Sequence, residues 1–255
     1  VGLIYSIVNQ KGGVGKTTTS VNLGAFLADE GKRVLLVDLD PQANASSGVG
    51  LQIEKIKVDI YDSLLGGKSV REIIHPTSVK NMHIVPAGPD LAGATVELVD
   101  SDNREFKLKE MLAPVKDLYD FILIDCPPSL GILTVNALAA SQRVIVPVQC
   151  EYYAMEGLSR LMQTLEIVKQ ELNPTLMIEG ILLTMYDPRT SLNREVVKET
   201  QKHFKKQVYQ SIIPRNVAIS EAPSHGQPIT IYAKKSAGAK AYREFAQEVI
   251  KGAPQ

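Results

Sequence analysis

Lys11-Gly12-Gly13-Val14-Gly15-Lys16-Thr17-Thr18 brings two lysines, three glycines and two hydroxyls into eight residues. Glycine amides at this spacing cradle phosphate oxygens, and a lysine behind the last glycine reaches the outer phosphates. Lys16 takes that place. Thr17 follows it with a hydroxyl suited to a hard cation such as Mg²⁺. The usual loop is G-x-x-x-x-G-K-[ST], and Gln10 stands where its first glycine belongs. Lys11 is a second cation, five positions before Lys16, and needs a separate explanation.

Two carboxylate sites accompany the loop. The apolar run Phe121–Ile124 ends in Asp125, followed by Cys126-Pro127-Pro128-Ser129. A strand-end aspartate in a nucleoside triphosphatase supports the Mg²⁺ shell, usually through water. Alone, such a residue would as readily cap a helix. The second site is Asp38-Leu39-Asp40-Pro41-Gln42, after the run Val34–Val37. Its two carboxylates suit water positioning and the metal shell, so Thr17, Asp40 and Asp125 are the candidate metal residues. Small residues follow Asp40 (Ala43, Ala45, Ser46, Ser47, Gly48), as in a mobile switch or a solvated loop.

These groups need elements to hold them. Short apolar runs at Leu3–Val8, Val34–Val37, His83–Val85, Phe121–Ile124, Val144–Val148 and Ile178–Leu183 predict strands, with a weaker one at Tyr209–Ile213. Helical periodicity predicts helices over Thr17–Glu30, Asn103–Leu118, Glu156–Leu172, Leu192–Lys206 and Ala237–Ile250. The alternation points to an α/β protein with a mostly parallel sheet and helices on both faces. The loop then lies between a strand's C-terminal end and a helix N-terminus, where free amides favour anions. Tyr242, Phe245, Val249 and Ile250 share one face of the last helix, which is expected to pack on the sheet. No linker or repeat is visible, so residues 1–255 read as a single domain.

Composition narrows the class. An apolar share of 44% supports a core, and Cys126 and Cys150 supply neither a disulfide framework nor a metal-ligand spacing. A reduced, cytoplasmic setting follows. No stretch is long enough to span a membrane. Net charge is zero, yet from Arg189 onward there are twelve Lys and Arg against five Asp and Glu, an excess of seven. Arg194, Lys198, Lys202 and Lys206 recur every four residues on the helix expected at Leu192–Lys206, making one basic stripe. An anionic partner explains such a stripe. So does a solvated face, and Glu195 and Glu199 dilute the charge.

The three motifs K-G-G-V-G-K-T-T, D-L-D-P-Q-A-N-A and I-D-C-P-P-S-L-G resemble the ParA/MinD family of ATPases with a deviant phosphate loop. The segment Ile213–Gly226 makes the likeness strongest to the chromosome-partitioning ParA branch, of the Soj type. The likeness runs from about Gly2 to Ile250. It implies a twisted, mostly parallel P-loop NTPase sheet of the SIMIBI type, with ATP and Mg²⁺ as ligands. It implies that ATP closes a face-to-face homodimer in which Lys11 reaches the partner's phosphates. Gly12 would lie at that interface, Asp40 would position the attacking water, and Pro214 and Asn216 would frame the adenine. Hydrolysis would be slow and stimulated by a ParB-type centromere-binding partner.

The resemblance also implies non-specific binding to double-stranded DNA, hence nucleoid association. Arg189 matches a DNA-contacting position of the family. A second family arginine falls at Ala218, which carries no charge. The contact is then expected to shift to Arg215, Lys234, Lys235 or the stripe. A MinD-like membrane switch would need a basic amphipathic tail, and Lys251-Gly252-Ala253-Pro254-Gln255 has no bulky residue. No membrane partner is expected, and no sequence-reading domain ahead of the loop.

Overall fold

The chain is described from a computed structural model covering residues 2–151 and 154–252. Eight strands form one sheet: β1 (Leu3–Ile7), β2 (Val34–Asp38), β3 (His75–Pro76), β4 (Met82–Val85), β5 (Phe121–Asp125), β6 (Arg143–Gln149), β7 (Met177–Tyr186) and β8 (Val208–Pro214). Their order is β3-β4-β2-β5-β1-β6-β7-β8. Every pairing is parallel except β3 with β4.

Alternating strand residues feed two cores. Ile4, Leu35, Val37, Ile122, Ile124, Val144 and Val146 enter one, and Tyr5, Ile7, Val34, Leu36, Leu123 and Ile145 enter the other. Burial on both faces explains why these strands read as unbroken apolar runs.

The helices are α1 (Lys16–Asp29), α2 (Asn44–Gly48), α3 (Ile60–Leu64), α4 (Leu91–Glu97), α5 (Lys107–Leu112) and α6 (Ile132–Ala140). They continue with α7 (Ala154–Glu171), α8 (Ser191–Phe204), α9 (Val217–Glu221), α10 (Ile229–Tyr232) and α11 (Ala237–Lys251). α1 and α11 cover one sheet face, with Phe26, Tyr242, Phe245 and Val249 buried between. The expected apolar face of α11 therefore packs on the sheet, and Ile250 adds a partly buried contact. Residues 253–255 of the tail lie outside the described region.

Two expected helices are shorter than their periodicity. Asn103–Leu118 contains only α5 and a 3-10 turn at Lys116–Leu118. Pro114 cannot continue a helix through that point. α8 stops at Phe204, because Lys205 adopts φ 44° and a 3-10 turn follows. Lys206 therefore leaves the row shared by Arg194, Lys198 and Lys202.

Strand order decides where the chemistry sits. β1 lies between β5 and β6, and the chain leaves it toward β2 on one side before returning. Ligands of open α/β sheets bind outside the carboxyl ends of strands at such a switch point. Register completes the placement. Ile7 aligns with Asp125, and Asp125 with Asp38, so the phosphate loop and both carboxylate segments leave the sheet at one level.

Candidate nucleotide-binding site

β1 ends at Ile7 and α1 begins at Lys16, so the glycine-rich loop folds back over the strand end. Gly15 caps α1 in left-handed backbone (φ 89°), and no side chain occupies the helix's first amides. They remain free to meet an anion. The Thr184 hydroxyl donates to the Val14 carbonyl at 2.9 Å and ties the loop to β7. Val14 thus serves through its backbone. A cleft of about 630 Å³ opens above, lined by Gly12, Gly13, Gly15, Lys16, Thr17, Thr18 and Asp40 among others.

Lys16 is only 7% exposed, and its ammonium donates to the Lys11 carbonyl at 3.1 Å. Burial pulls its pKa below the usual lysine range, while Asp125 and Asp40 act in the opposite direction. Asp125 is fully buried. Ser20 donates to its Oδ1 at 2.9 Å, and the Thr17 hydroxyl lies beside it. Its Oδ2 has no hydrogen-bond partner. Burial first, then the Asp38 charge, pushes the Asp125 carboxyl up.

A buried carboxylate oxygen left orphaned next to a threonine hydroxyl fits a hydrated hard cation. Among the described residues no three His, Cys, Asp or Glu side chains form a ready cage. That arrangement suits Mg²⁺, which keeps waters and draws further ligands from phosphate.

The two carboxylates after β2 separate. Asp38 does not line the cleft. It is fully buried and accepts the Ser46 amide at 2.8 Å, the Ser46 hydroxyl at 2.7 Å and the Asp40 amide at 3.2 Å. It therefore anchors α2. Asp40 alone reaches the cleft, its Oδ1 accepting the Gln42 amide at 3.0 Å.

α2 is braced from behind. The loop after it approaches the turn after α9, where Gly50 (φ 92°) meets Gly226 (φ 61°). A Cβ on Gly226 would lie 2.9 Å from the Gly50 Cα. Gly226→Ala is expected to cost about 2 kcal/mol from left-handed backbone and this clash. Denaturant unfolding checks it; an unchanged midpoint counts against the contact.

Lys11 sits on the rim. Its ammonium pairs with Glu151 Oε2 at 2.5 Å, both side chains being about half exposed, and it is not among the residues lining the cleft. Gln149 holds the other Glu151 oxygen at 2.5 Å. Gln10 is exposed and also stands outside the lining. Pro214 and Asn216 line an adjoining pocket of about 270 Å³ with Thr18, Met185 and Tyr242. Asn216 Oδ1 is already used as the cap of α9, accepting the Ile219 amide at 3.3 Å. Met185, with φ 53°, lines both cavities. Neither it nor Glu151 carries a motif, so sequence reading had no signal for them.

The basic residues form no single row. Arg194, Lys198 and Lys202 are exposed along α8, and Lys202 pairs with Glu199 at 3.7 Å. Lys206 lies beyond the helix end. Lys234 pairs with Asp29 at 3.4 Å, and Lys235 is exposed beside it. Arg189 and Arg215 are both exposed at the β7 and β8 ends.

Comparison with known proteins agrees with this geometry. A family model described as an AAA domain matches residues 2–178. The chain is 55% identical to the chromosome partitioning protein ParA of Myxococcus xanthus, over 98% of this chain and 89% of that protein. It is 56% identical to the sporulation initiation inhibitor protein Soj of Bacillus subtilis, over 98% of each. Among solved structures, the cobyrinic acid a,c-diamide synthase of Mycobacterium smegmatis, with bound ATP analogue and magnesium, superimposes with a TM-score of 0.87. That protein shares 39% identity, covering 98% of this chain and 95% of its own. With the loop, the strand-end carboxylates and near full-length identity in agreement, the chain belongs to the ParA/Soj family of chromosome-partitioning ATPases.

Proposed function

We propose that the chain is one ATPase unit acting as a DNA-partitioning switch: ATP and Mg²⁺ close a homodimer that holds double-stranded DNA without sequence preference. Slow hydrolysis then releases the DNA, and a ParB-type partner accelerates that step. The observation carrying this reading is the position of Lys11. Its side chain does not line its own cleft and is half exposed, its ammonium held by Glu151. A cation so placed neutralises phosphate bound to a second copy and completes charge compensation only when two subunits meet.

In the proposed chemistry the loop amides and Lys16 hold the phosphates. Thr17 and Asp125 would hold magnesium, Asp125 by way of water. The metal, when bound, supplies charge for the oxygens around the transferred phosphorus. Asp40 accepts a hydrogen bond from the attacking water and orients it. Pro214 and the backbone around Asn216 border the base. A switch of this kind would act in the cytoplasm, on the nucleoid. No described helix is long and apolar enough to cross a membrane.

The test is binding to duplex DNA of arbitrary sequence, with and without ATP. ATP-dependent binding that weakens steeply with salt is expected, lost in Lys16→Ala and reduced in Arg189→Ala. Binding indifferent to nucleotide, or none with ATP, rejects the partition reading.

A further inference from the structure

The turn from β7 into α8 carries a carboxylate that the nucleotide chemistry does not use. Asp187 accepts Arg189 Nε at 2.9 Å on Oδ1 and Arg189 Nη2 at 2.7 Å on Oδ2. It also accepts the Arg189 amide at 3.0 Å. The turn itself is fixed. The Asp187 amide donates to Asn193 Oδ1 at 2.7 Å, Asn193 Nδ2 donates to the Cys150 carbonyl at 2.8 Å, and Thr190 caps α8.

Two more arginines meet the same turn. The Arg215 amide donates to the Tyr186 carbonyl at 2.9 Å, and its charge acts on Asp187. Arg194 Nη1 donates to the Pro188 carbonyl at 2.5 Å. Sheet register explains the meeting, because Tyr186 on β7 pairs with Pro214 on β8. Arg189 and Arg215 thus act on one carboxylate, and Arg194 braces the same turn through its backbone.

The Arg189 side chain is 85% exposed, whereas Asp187 is 16% exposed. One of the two edges by which the guanidinium can clasp a phosphate bidentately, Nε with Nη2, is already on a carboxylate. The bonds from Arg189 hold the Asp187 carboxyl down at about 2, so the pair stays charged at neutral pH. A DNA phosphate must displace Asp187, or take the remaining edge with a negative charge close by. Either way the carboxylate subtracts from attraction.

We propose that Asp187 is an internal surrogate for a DNA phosphate. It neutralises Arg189 so that one subunit holds duplex DNA poorly, and two arginine clusters brought together by the dimer are needed. The inference rests on the DNA-partition reading above and adds how that reading is made dependent on assembly.

The test uses the full chain with Asp187→Asn, which keeps an oxygen for the Arg189 amide and removes the charge. Asp187→Ser serves as a second variant retaining a turn acceptor. Binding to a short duplex of arbitrary sequence is followed by fluorescence anisotropy across a salt series, with and without ATP. Without nucleotide, both variants are expected to bind roughly three- to tenfold more tightly than the unsubstituted protein. The gain shrinks as salt rises, and the salt slope steepens by about 0.9 per subunit. Adding Arg189→Ala should erase the gain, which a merely structural role for Asp187 would not do.

Equal or weaker binding by both variants, beside normal ATP-dependent binding of the unsubstituted protein, overturns this proposal alone. A gain that survives Arg189→Ala also overturns it. No ATP-dependent binding by the unsubstituted protein overturns the partition reading and this proposal with it.

Discussion

Lys16→Ala is expected to weaken ATP binding by at least about a hundredfold and to abolish measurable turnover. Lys16 is the one lysine among the residues lining the cleft, and it is buried there. Buried charges act through a lower effective dielectric than surface charges, so its loss is felt more than the loss of an exposed lysine. The phosphates would then face the Asp40 carboxylate with no ammonium in the cleft to offset it. Lys16→Arg should rescue little, because a planar fork replaces a compact ammonium in a loop shaped for the latter. Calorimetric titration with ATP and Mg²⁺ measures the effect, and thermal melts separate it from misfolding. Affinity within a few-fold of the unsubstituted protein would remove Lys16 from the phosphate site.

Lys11→Ala is expected to separate binding from assembly. ATP affinity should stay within a few-fold, because the Lys11 side chain does not line its own cleft. The ATP-dependent dimer should be lost, and turnover should fall by about a hundredfold, the order seen when a charge that stabilises the transition state is removed. Without ATP, Lys11 is held by Glu151 at 2.5 Å. An exposed ion pair of this kind contributes little, about 1 kcal/mol or less, so a partner's phosphates can win the lysine from it. Analytical ultracentrifugation with ATP checks the assembly. A normal dimer from Lys11→Ala would break the link between this lysine and the second subunit. A large loss of ATP affinity in the monomer would place Lys11 in its own site instead.

Legibility followed the range of each interaction. The phosphate loop was readable because its function lies within eight neighbouring residues and depends on backbone that glycine permits. The strands were readable because sheets buried on both faces need continuous apolar runs, and Leu35, Leu36, Val37 and Leu123 are fully buried. Helix ends were less clear. Nothing in the periodicity of Leu192–Lys206 announced the φ of 44° at Lys205 that removes Lys206 from the basic row. The pair Asp38 and Asp40 looked equivalent as sequence. They diverge because β2 ends at Asp38 and Asp40 lies in the turn beyond it, so the first is held by Ser46 and the second reaches the cleft.

The sequence by itself therefore determined the class of fold, the phosphate loop and the family, since these depend on local backbone chemistry and on periodic burial. Tertiary structure decided which distant residues answer those local groups. Strand order brought Asp125 beside the loop, although 109 positions separate it from Lys16. The pairing of β7 with β8 set Arg215 next to Asp187 and Arg189. The end of β6 carried Glu151 to Lys11. The physical reason is that a charge finds its partner through space, and the sheet's register, which no single segment encodes, sets what is near.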